Sequence, residues 1–269
     1  MSAEKVISDH ALPFAMLSDA GTERSDNEDA CGFHVETPTH VLMAVADGVS
    51  GEEGGEIASQ TAIDVTIRAY RESPMSWGPA KRLFRAAQDA NIEIHDRALV
   101  VTELRGMSTT LTAVVVDGVN AHAAHVGDSR LYLIREGRCI QKTKDHTVAA
   151  GRRRMRVVSA ERAKTHPGRS TLTRSLGREL IAAIDRITFA VQDRDILLLC
   201  SDGLYNVLSD DELMSGALGG ESAIACQELV AAAKARGAPD NVTVAILHVR
   251  GAPGVAPTSG WRGLLGRWG

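Results

Sequence analysis

Four apolar runs in this chain carry an aspartate at one end, and that pattern constrains the fold more than any other feature. V-L-M-A-V-A-D-G stops at Asp47, A-A-H-V-G-D-S at Asp128 and I-L-L-L-C-S-D-G at Asp202, while P-D-N-V-T-V-A-I-L-H-V begins at Asp240. A fifth acidic pair, Glu28-Asp29, opens the run from Ala30. An almost unbroken apolar run such as Val41 to Ala46, stopped by Asp-Gly, reads as a strand buried on both faces. Asp-Gly alone is ordinary turn chemistry, and Asp117-Gly118 reads as a hairpin turn and nothing more. Five acidic strand ends together are different, because carboxylates that converge repel one another unless a cation neutralises them. With no His or Cys pair nearby, all-oxygen ligation selects a hard ion, Mg²⁺ or Mn²⁺, over zinc. Two such ions sharing a carboxylate can activate a water and brace an in-line attack at phosphorus. Arg24, four residues before Glu28, offers a guanidinium that could grip a phosphate with two parallel bonds.

The rest of the chain supplies sheets and helices for these strand ends. Leu12 to Asp19, Ala30 to Glu36, Thr109 to Val116, Ala121 to Val126, Leu131 to Arg135, Arg138 to Lys142, Ile184 to Val191, Ile196 to Cys200 and Val242 to Val249 read as strands. Ile57, Thr61, Val65 and Ala69 recur every four residues. Leu83, Ala87, Ala90, Ile94, Ala98 and Val101 alternate spacings of three and four. Each set marks one apolar helix face, and Pro74, Gly78 and Pro79 separate the two helices. Asp210 to Ala217 and Ser222 to Lys234 read as two more helices. The order is not the strict alternation of a doubly wound parallel sheet; it fits sheets with helices packed outside them. Aromatics are only 4% of the 269 residues, so the core is built from Val, Ile, Leu and Ala, and base-stacking platforms for single-stranded nucleic acid are scarce.

Charge is unevenly spread. Between Gln141 and Leu180 eleven basic residues face three acidic ones, a balance of +8 that leaves −12 for the rest of a chain whose net charge is −4. This pattern suggests a basic lobe beside an acidic site. The four cysteines are far apart, and Cys31, Cys139 and Cys200 fall in strand-like runs as buried reduced thiols. The first ten residues hold no apolar signal core, and no apolar run approaches the roughly 20 residues that cross a bilayer. A cytoplasmic protein is expected. Residues 251–269, rich in Gly, Pro and Ala, read as a flexible tail, with Trp261, Arg262, Leu264, Leu265, Arg267 and Trp268 as a short amphipathic end.

Eight motifs resemble, in order, those of the metal-dependent protein phosphatases of type 2C, in their compact bacterial branch. They are R-S-D-N-E-D (Arg24 to Asp29), A-D-G-V-S-G-E-E-G-G-E (Ala46 to Glu56), G-M-S-T-T-L (Gly106 to Leu111), V-G-D-S-R (Val126 to Arg130), T-K-D-H (Thr143 to His146), L-T-R-S-L-G (Leu172 to Gly177), S-D-G-L (Ser201 to Leu204) and D-N-V-T (Asp240 to Thr243). The resemblance implies an α+β fold, a four-layer α/β/β/α sandwich of two antiparallel sheets flanked by helices, in a single domain over 1–250 with a mobile flap at about 145–170. It implies hydrolysis of Ser/Thr phosphoproteins by direct attack of a water bridging two divalent cations, Mn²⁺ or Mg²⁺. Asp47 would bridge them, Asp202 and Asp240 would bind the first, the Gly48 carbonyl the second, and Glu28 and Asp29 would act largely through bound waters. Asp128, with Asp202, matches the position of a third, weaker metal, and Arg24 would hold the substrate phosphate. The partners implied are phosphoproteins and a cognate bacterial Ser/Thr kinase, with no nucleic acid and no membrane span, and the protein is read as a monomer.

Two features depart from the family pattern. Many animal relatives carry a His two residues after the bridging Asp; Val49 stands there and leaves the general acid unassigned, a role a metal-bound water could fill. The flap segment also holds Arg152, Arg153, Arg154 and Arg156, read either as a solvated loop or as a dock for an acidic or multiply phosphorylated partner. The alternative to an enzyme is a catalytically weak phosphatase-fold regulatory binding protein, against which the intact Arg24, Asp47, Asp202 and Asp240 weigh.

Overall fold

The computed structural model describes residues 5–8, 14–49 and 54–250. Its elements in chain order are β1 (Lys5–Ser8), β2 (Phe14–Asp19), β3 (Asp29–Thr37), β4 (His40–Asp47), α1 (Gly55–Glu72), α2 (Pro79–Val100), β5 (Leu111–Asp117), β6 (Asn120–Val126), β7 (Arg130–Arg135) and β8 (Arg138–Gln141). Then follow α3 (Val148–Arg154), α4 (Ala160–Lys164), β9 (Asp185–Ala190), β10 (Ile196–Cys200), α5 (Asp202–Tyr205), α6 (Asp210–Ala217), α7 (Ser222–Ala235) and β11 (Val242–His248). The strands pair antiparallel in two sheets, ordered β1-β2-β11-β10-β7-β8 and β3-β4-β5-β6-β9.

The period of two along a strand builds the layers. In β4, Val41, Met43 and Val45 join Phe14, Met16, Leu131, Leu197 and Leu199 in the core between the sheets. Leu42, Ala44 and Ala46 point the other way and pack under α1 and α2 against Ala62, Leu83 and Ile94. The second sheet repeats the arrangement, with Leu17, Leu198, Val244 and Ile246 under α6 and α7 against Leu213, Cys226, Leu229 and Val230. The sandwich therefore has four layers, as the motif order implies. A strand covered on both faces has no polar side, which is why β4 and β10 read as continuous apolar runs.

Several local expectations shift. Of the stripe every four residues in α1, Thr61 and Val65 are buried and Ala69 packs against the core, but Ile57 is 39% exposed, and the buried face extends to Ala58, Ala62, Thr66 and Tyr70. Small residues let the helix lie close to the sheet, and closeness outweighs the size of Ile57. Asp117-Gly118 is the turn of the β5–β6 hairpin, with Gly118 at φ +58°. The basic segment after β8 holds two short helices, α3 and α4, each capped by a hydroxyl: Thr147 accepts from the Ala150 amide and Ser159 from that of Arg162. Among the described residues no helix is long and apolar enough to cross a membrane. The four cysteines form no disulfide; Cys200 and Cys226 are buried, while Cys31 and Cys139 are half-buried. The expected tail, 251–269, lies outside the described residues, as do residues 50–53 of the Gly-rich turn.

Candidate metal centre

The acidic strand ends meet at one edge of the sandwich because the strands that carry them pair or stack. Asp29 and Asp47 are direct cross-strand neighbours at the open end of the β3–β4 ladder. Asp47 is held through its backbone: its amide donates to Thr110 Oγ1 (3.0 Å), and its carbonyl accepts from the Thr110 amide (2.9 Å) and Thr109 Oγ1 (2.8 Å). Thr110 Oγ1 also lies 2.7 Å from Ser129 Oγ, so the G-M-S-T-T-L motif ties the Asp47 end to the Asp128 end. The T-K-D-H motif braces that second end, with the His146 amide donating to the Gly127 carbonyl (2.7 Å) and the Gly127 amide to His146 Nδ1 (3.1 Å).

In the other sheet β10 and β11 lie side by side and bring Asp202 to Asp240. The Ser201 hydroxyl accepts from the Thr243 amide (3.0 Å) and donates to Asp29 Oδ2 (2.7 Å), linking the two sheets at the site. Asn241 clamps the loop that carries Arg24 and Glu28. Its Nδ2 donates to the carbonyls of Ala20 (3.1 Å) and Asp26 (2.8 Å), and its Oδ1 accepts from the Glu28 amide (2.9 Å). Gly48 sits where a side chain has no room: a Cβ there would lie 2.4 Å from the Gly55 carbonyl oxygen and 2.8 Å from that of Glu28. The Glu28 carboxylate lies against Gly55, whose own Cβ would stand 2.5 Å from Glu28 Oε1.

The electrostatics report the crowding. Burial is the largest cause of a raised carboxyl at Asp47, held well above the usual range, followed by the charges of Asp29, Asp202, Asp128 and Asp240. Asp29 is pushed up to about 7 by burial, with Asp202 and Asp240 adding to it and the Ser201 and Thr243 hydroxyls opposing. Burial and Asp240 raise Asp202 to about 6, and burial, Asp202 and Asp145 raise Asp128. Asp29 Oδ1 is buried with no hydrogen-bond partner. A buried, unpaired carboxylate oxygen among like charges is costly unless a cation meets it. The donor set and this orphaned oxygen fit hard divalent ions.

The side chains do not form a closed cage. Among the described residues no group of three or more His, Cys, Asp or Glu side chains is arranged to hold a metal by itself. Ligation by this edge therefore needs donors besides side chains, in keeping with the backbone carbonyl and waters of the implied scheme. Arg24 is at the rim, but its Nε pairs with Asp240 Oδ1 at 3.1 Å. Sequence reasoning missed the residues that position the acids: Thr110, Ser129, Ser201 and Asn241. All four lie inside the quoted motifs, so the signal was present, but hydroxyls and amides beside an Asp read as turn residues.

The chain matches the family model described as Protein phosphatase 2C over residues 21–228. It is 36% identical over 244 residues to the serine/threonine protein phosphatase PstP of Mycobacterium tuberculosis, a match covering 88% of this chain and 45% of that protein. It thus spans about half the length of that relative. A putative protein phosphatase 2C-type of Streptococcus pyogenes is 30% identical over 241 residues, covering 88% of this chain and 97% of the relative. The solved catalytic domain of PstP, in complex with two manganese ions, superposes with a TM-score of 0.75 at 32% identity, covering 87% of this chain and 96% of that one.

Proposed function

The chain belongs to the protein phosphatase 2C family, and we propose that it removes phosphate from Ser/Thr phosphoproteins at the acidic edge of its sandwich. One observation carries the reading: acids from five separate strand ends crowd into mutual electrostatic reach, with an orphaned Asp29 oxygen among them and a guanidinium at the rim. Asp47, Asp202 and Asp240, with the Gly48 carbonyl, would hold two divalent cations, Mn²⁺ or Mg²⁺. Glu28 and Asp29 would hold waters around them, and Asp128 with Asp202 would take a third, weaker ion. When bound, such ions neutralise phosphate charge and lower the pKa of water, which is the chemistry a phosphomonoester needs.

The chain's own residues bind and orient. Among the described residues Arg24 pairs through Nε with Asp240, and its two terminal nitrogens would grip the phosphate. The Asp240 contact aims the guanidinium and holds one wall of the site until substrate arrives. The Thr110 and Ser201 bonds fix the backbones behind Asp47 and Asp202, so little reorganisation remains for the reaction. Val49 has no ionisable group and cannot protonate the departing Ser/Thr oxygen.

The wider proposals follow the family. Residues 1–250 act as one phosphatase domain with a flap at about 145–170, as a monomer in the cytoplasm, where thiols outside disulfides stay reduced. A cognate Ser/Thr kinase supplies its phosphoprotein substrates. The test is phosphopeptide hydrolysis across a panel of divalent metals, with and without chelator, and with Asp47→Ala. Activity is expected only with added metal, and the substitution should abolish it. Turnover that persists in chelator or in Asp47→Ala overturns the mechanism. Tight phosphopeptide binding with no turnover in any metal would instead support the regulatory-binder alternative.

A further inference from the structure

We propose that the groove between the β8–β9 segment and the start of α6 binds an acidic stretch of the phosphoprotein beside its phosphorylated residue. This rests on the phosphatase reading above. The groove encloses about 1080 Å³ and opens at Asp202, so a chain lying in it continues directly into the acidic edge. Pockets for small ligands span roughly 300–1,000 Å³, and this one has the size for a peptide segment.

Its walls differ in charge. Lys144, Arg153, Arg154, Lys164 and Arg169 line the side formed by the β8–β9 segment. Asn206, Ser209, Asp210 and Asp211 line the other. The floor is neutral, because Arg130 is fully engaged: Nε and Nη2 meet the two Asp145 oxygens at 3.0 and 2.7 Å, Nη1 donates to the Tyr132 hydroxyl at 2.9 Å, and the guanidinium stacks 3.5 Å over Tyr205. Arg154 donates to the Asp145 carbonyl at 2.9 Å, and Lys164 makes only a 3.9 Å contact with Glu161. Lys144 and Arg153 have no acidic partner among the described residues. Cations on one wall of a groove without an ion-pair partner are what an acidic ligand would satisfy.

The arginine run is thus not one surface. Arg153 and Arg154 face the groove, while Arg152 is hydrogen-bonded to His166 at 2.8 Å and Arg156, at φ +59°, lies outside the lining. The far wall refines the ligand further. Asp210 and Asp211 stand in the first turn of α6, where the helix dipole stabilises them and where they repel other acids. An extended peptide sends successive side chains to opposite sides. Acidic residues at alternate positions would therefore meet Lys144 and Arg153, with uncharged or basic residues passing Asp210 and Asp211.

The test compares three phosphothreonine peptides at low ionic strength with Mn²⁺: one with neutral flanks, and one each with alternating Asp on the N-terminal or C-terminal side. One acidic peptide is expected to exceed the neutral one in kcat/KM by about tenfold, mostly through KM, the size that two charge pairs of surface strength supply. The advantage should shrink with added salt and collapse in Lys144→Glu/Arg153→Glu. Equal kcat/KM for all three peptides overturns the inference and leaves the phosphatase reading intact. An acidic advantage that survives the double substitution overturns it as well. Hydrolysis of none of them removes both. If the double variant fails to fold, Arg153→Gln, on the exposed face of α3, takes its place, and an unchanged peptide ratio there overturns the inference.

Discussion

Gly203→Ala tests whether the two loops carrying Asp202 and Asp240 are packed backbone against backbone. A Cβ at Gly203 would lie 2.0 Å from the Asn241 carbonyl oxygen and 3.5 Å from the Asp240 carbonyl carbon. A carbon and a carbonyl oxygen rest roughly 3.3 Å apart at their closest comfortable approach. The methyl must therefore push the loops apart by roughly 1.3 Å, and the obstacle is main chain, which cannot rotate aside. Overpacking of this kind costs about 1–3 kcal/mol of stability. The larger effect falls on catalysis, because Asp202 and Asp240 sit on the separated loops and a misplacement near 1 Å can cost about a hundredfold. Expected outcomes are a kcat/KM down by about two orders of magnitude at saturating Mn²⁺, a weaker apparent metal affinity, and a lowered denaturation midpoint with unchanged slope. Gly78→Ala, where a Cβ meets nothing within 4 Å, is the control and should change none of these. A Gly203→Ala protein within threefold of native activity, with the same metal affinity, refutes the argument.

Other outcomes can be checked with stability measurements. Asp47→Asn removes a repelling charge, so in chelator it should melt above the native protein, and added Mn²⁺ should raise the native melting temperature more than the variant's; a lower melting point in chelator contradicts the repulsion argument. Asn241→Ala removes three hydrogen bonds at roughly 1 kcal/mol each and should cost about 3 kcal/mol in chemical denaturation. His125 is buried on β6, with Nδ1 2.9 Å from Thr112 Oγ1 and Nε2 3.1 Å from the Lys144 carbonyl, and burial, with His146 beside it, lowers it from 6.5 to about 4. The unfolded chain takes up that proton first, so stability is complete above pH 6.5 and falls as pH drops toward 4, by up to about 3 kcal/mol. The difference between native protein and His125→Asn in denaturant midpoint from pH 7 to 4.5 isolates this contribution from the carboxylates, and parallel curves would contradict it.

The candidate site was legible where local pattern encodes it. Asp47 and Asp202 end strands whose continuous apolar character comes from burial on both faces, and Asp117 separates from them because its glycine completes a tight hairpin. In α1 the stripe places Thr61 and Val65 on the buried face but leaves out Ala58 and Ala62, because small residues that let helix and sheet approach closely give no strong apolar signal. The short helix Asp202–Tyr205 carries no periodicity to read at four residues.

Period and polarity are properties of residues and their near neighbours, so the strand runs, the helices and the acidic strand ends are readable in the sequence. Only the tertiary structure decided which residues share a hydrogen bond across the chain. Glu28 and Asn241 are 213 positions apart, and Asp29 and Ser201 are 172 apart, yet each pair is bonded. The same holds for Arg24, which turns to Asp240, and for the arginine run, of which Arg153 and Arg154 line the groove while Arg152 bonds to His166. Strand pairing and loop packing set these contacts, and no local spacing records them.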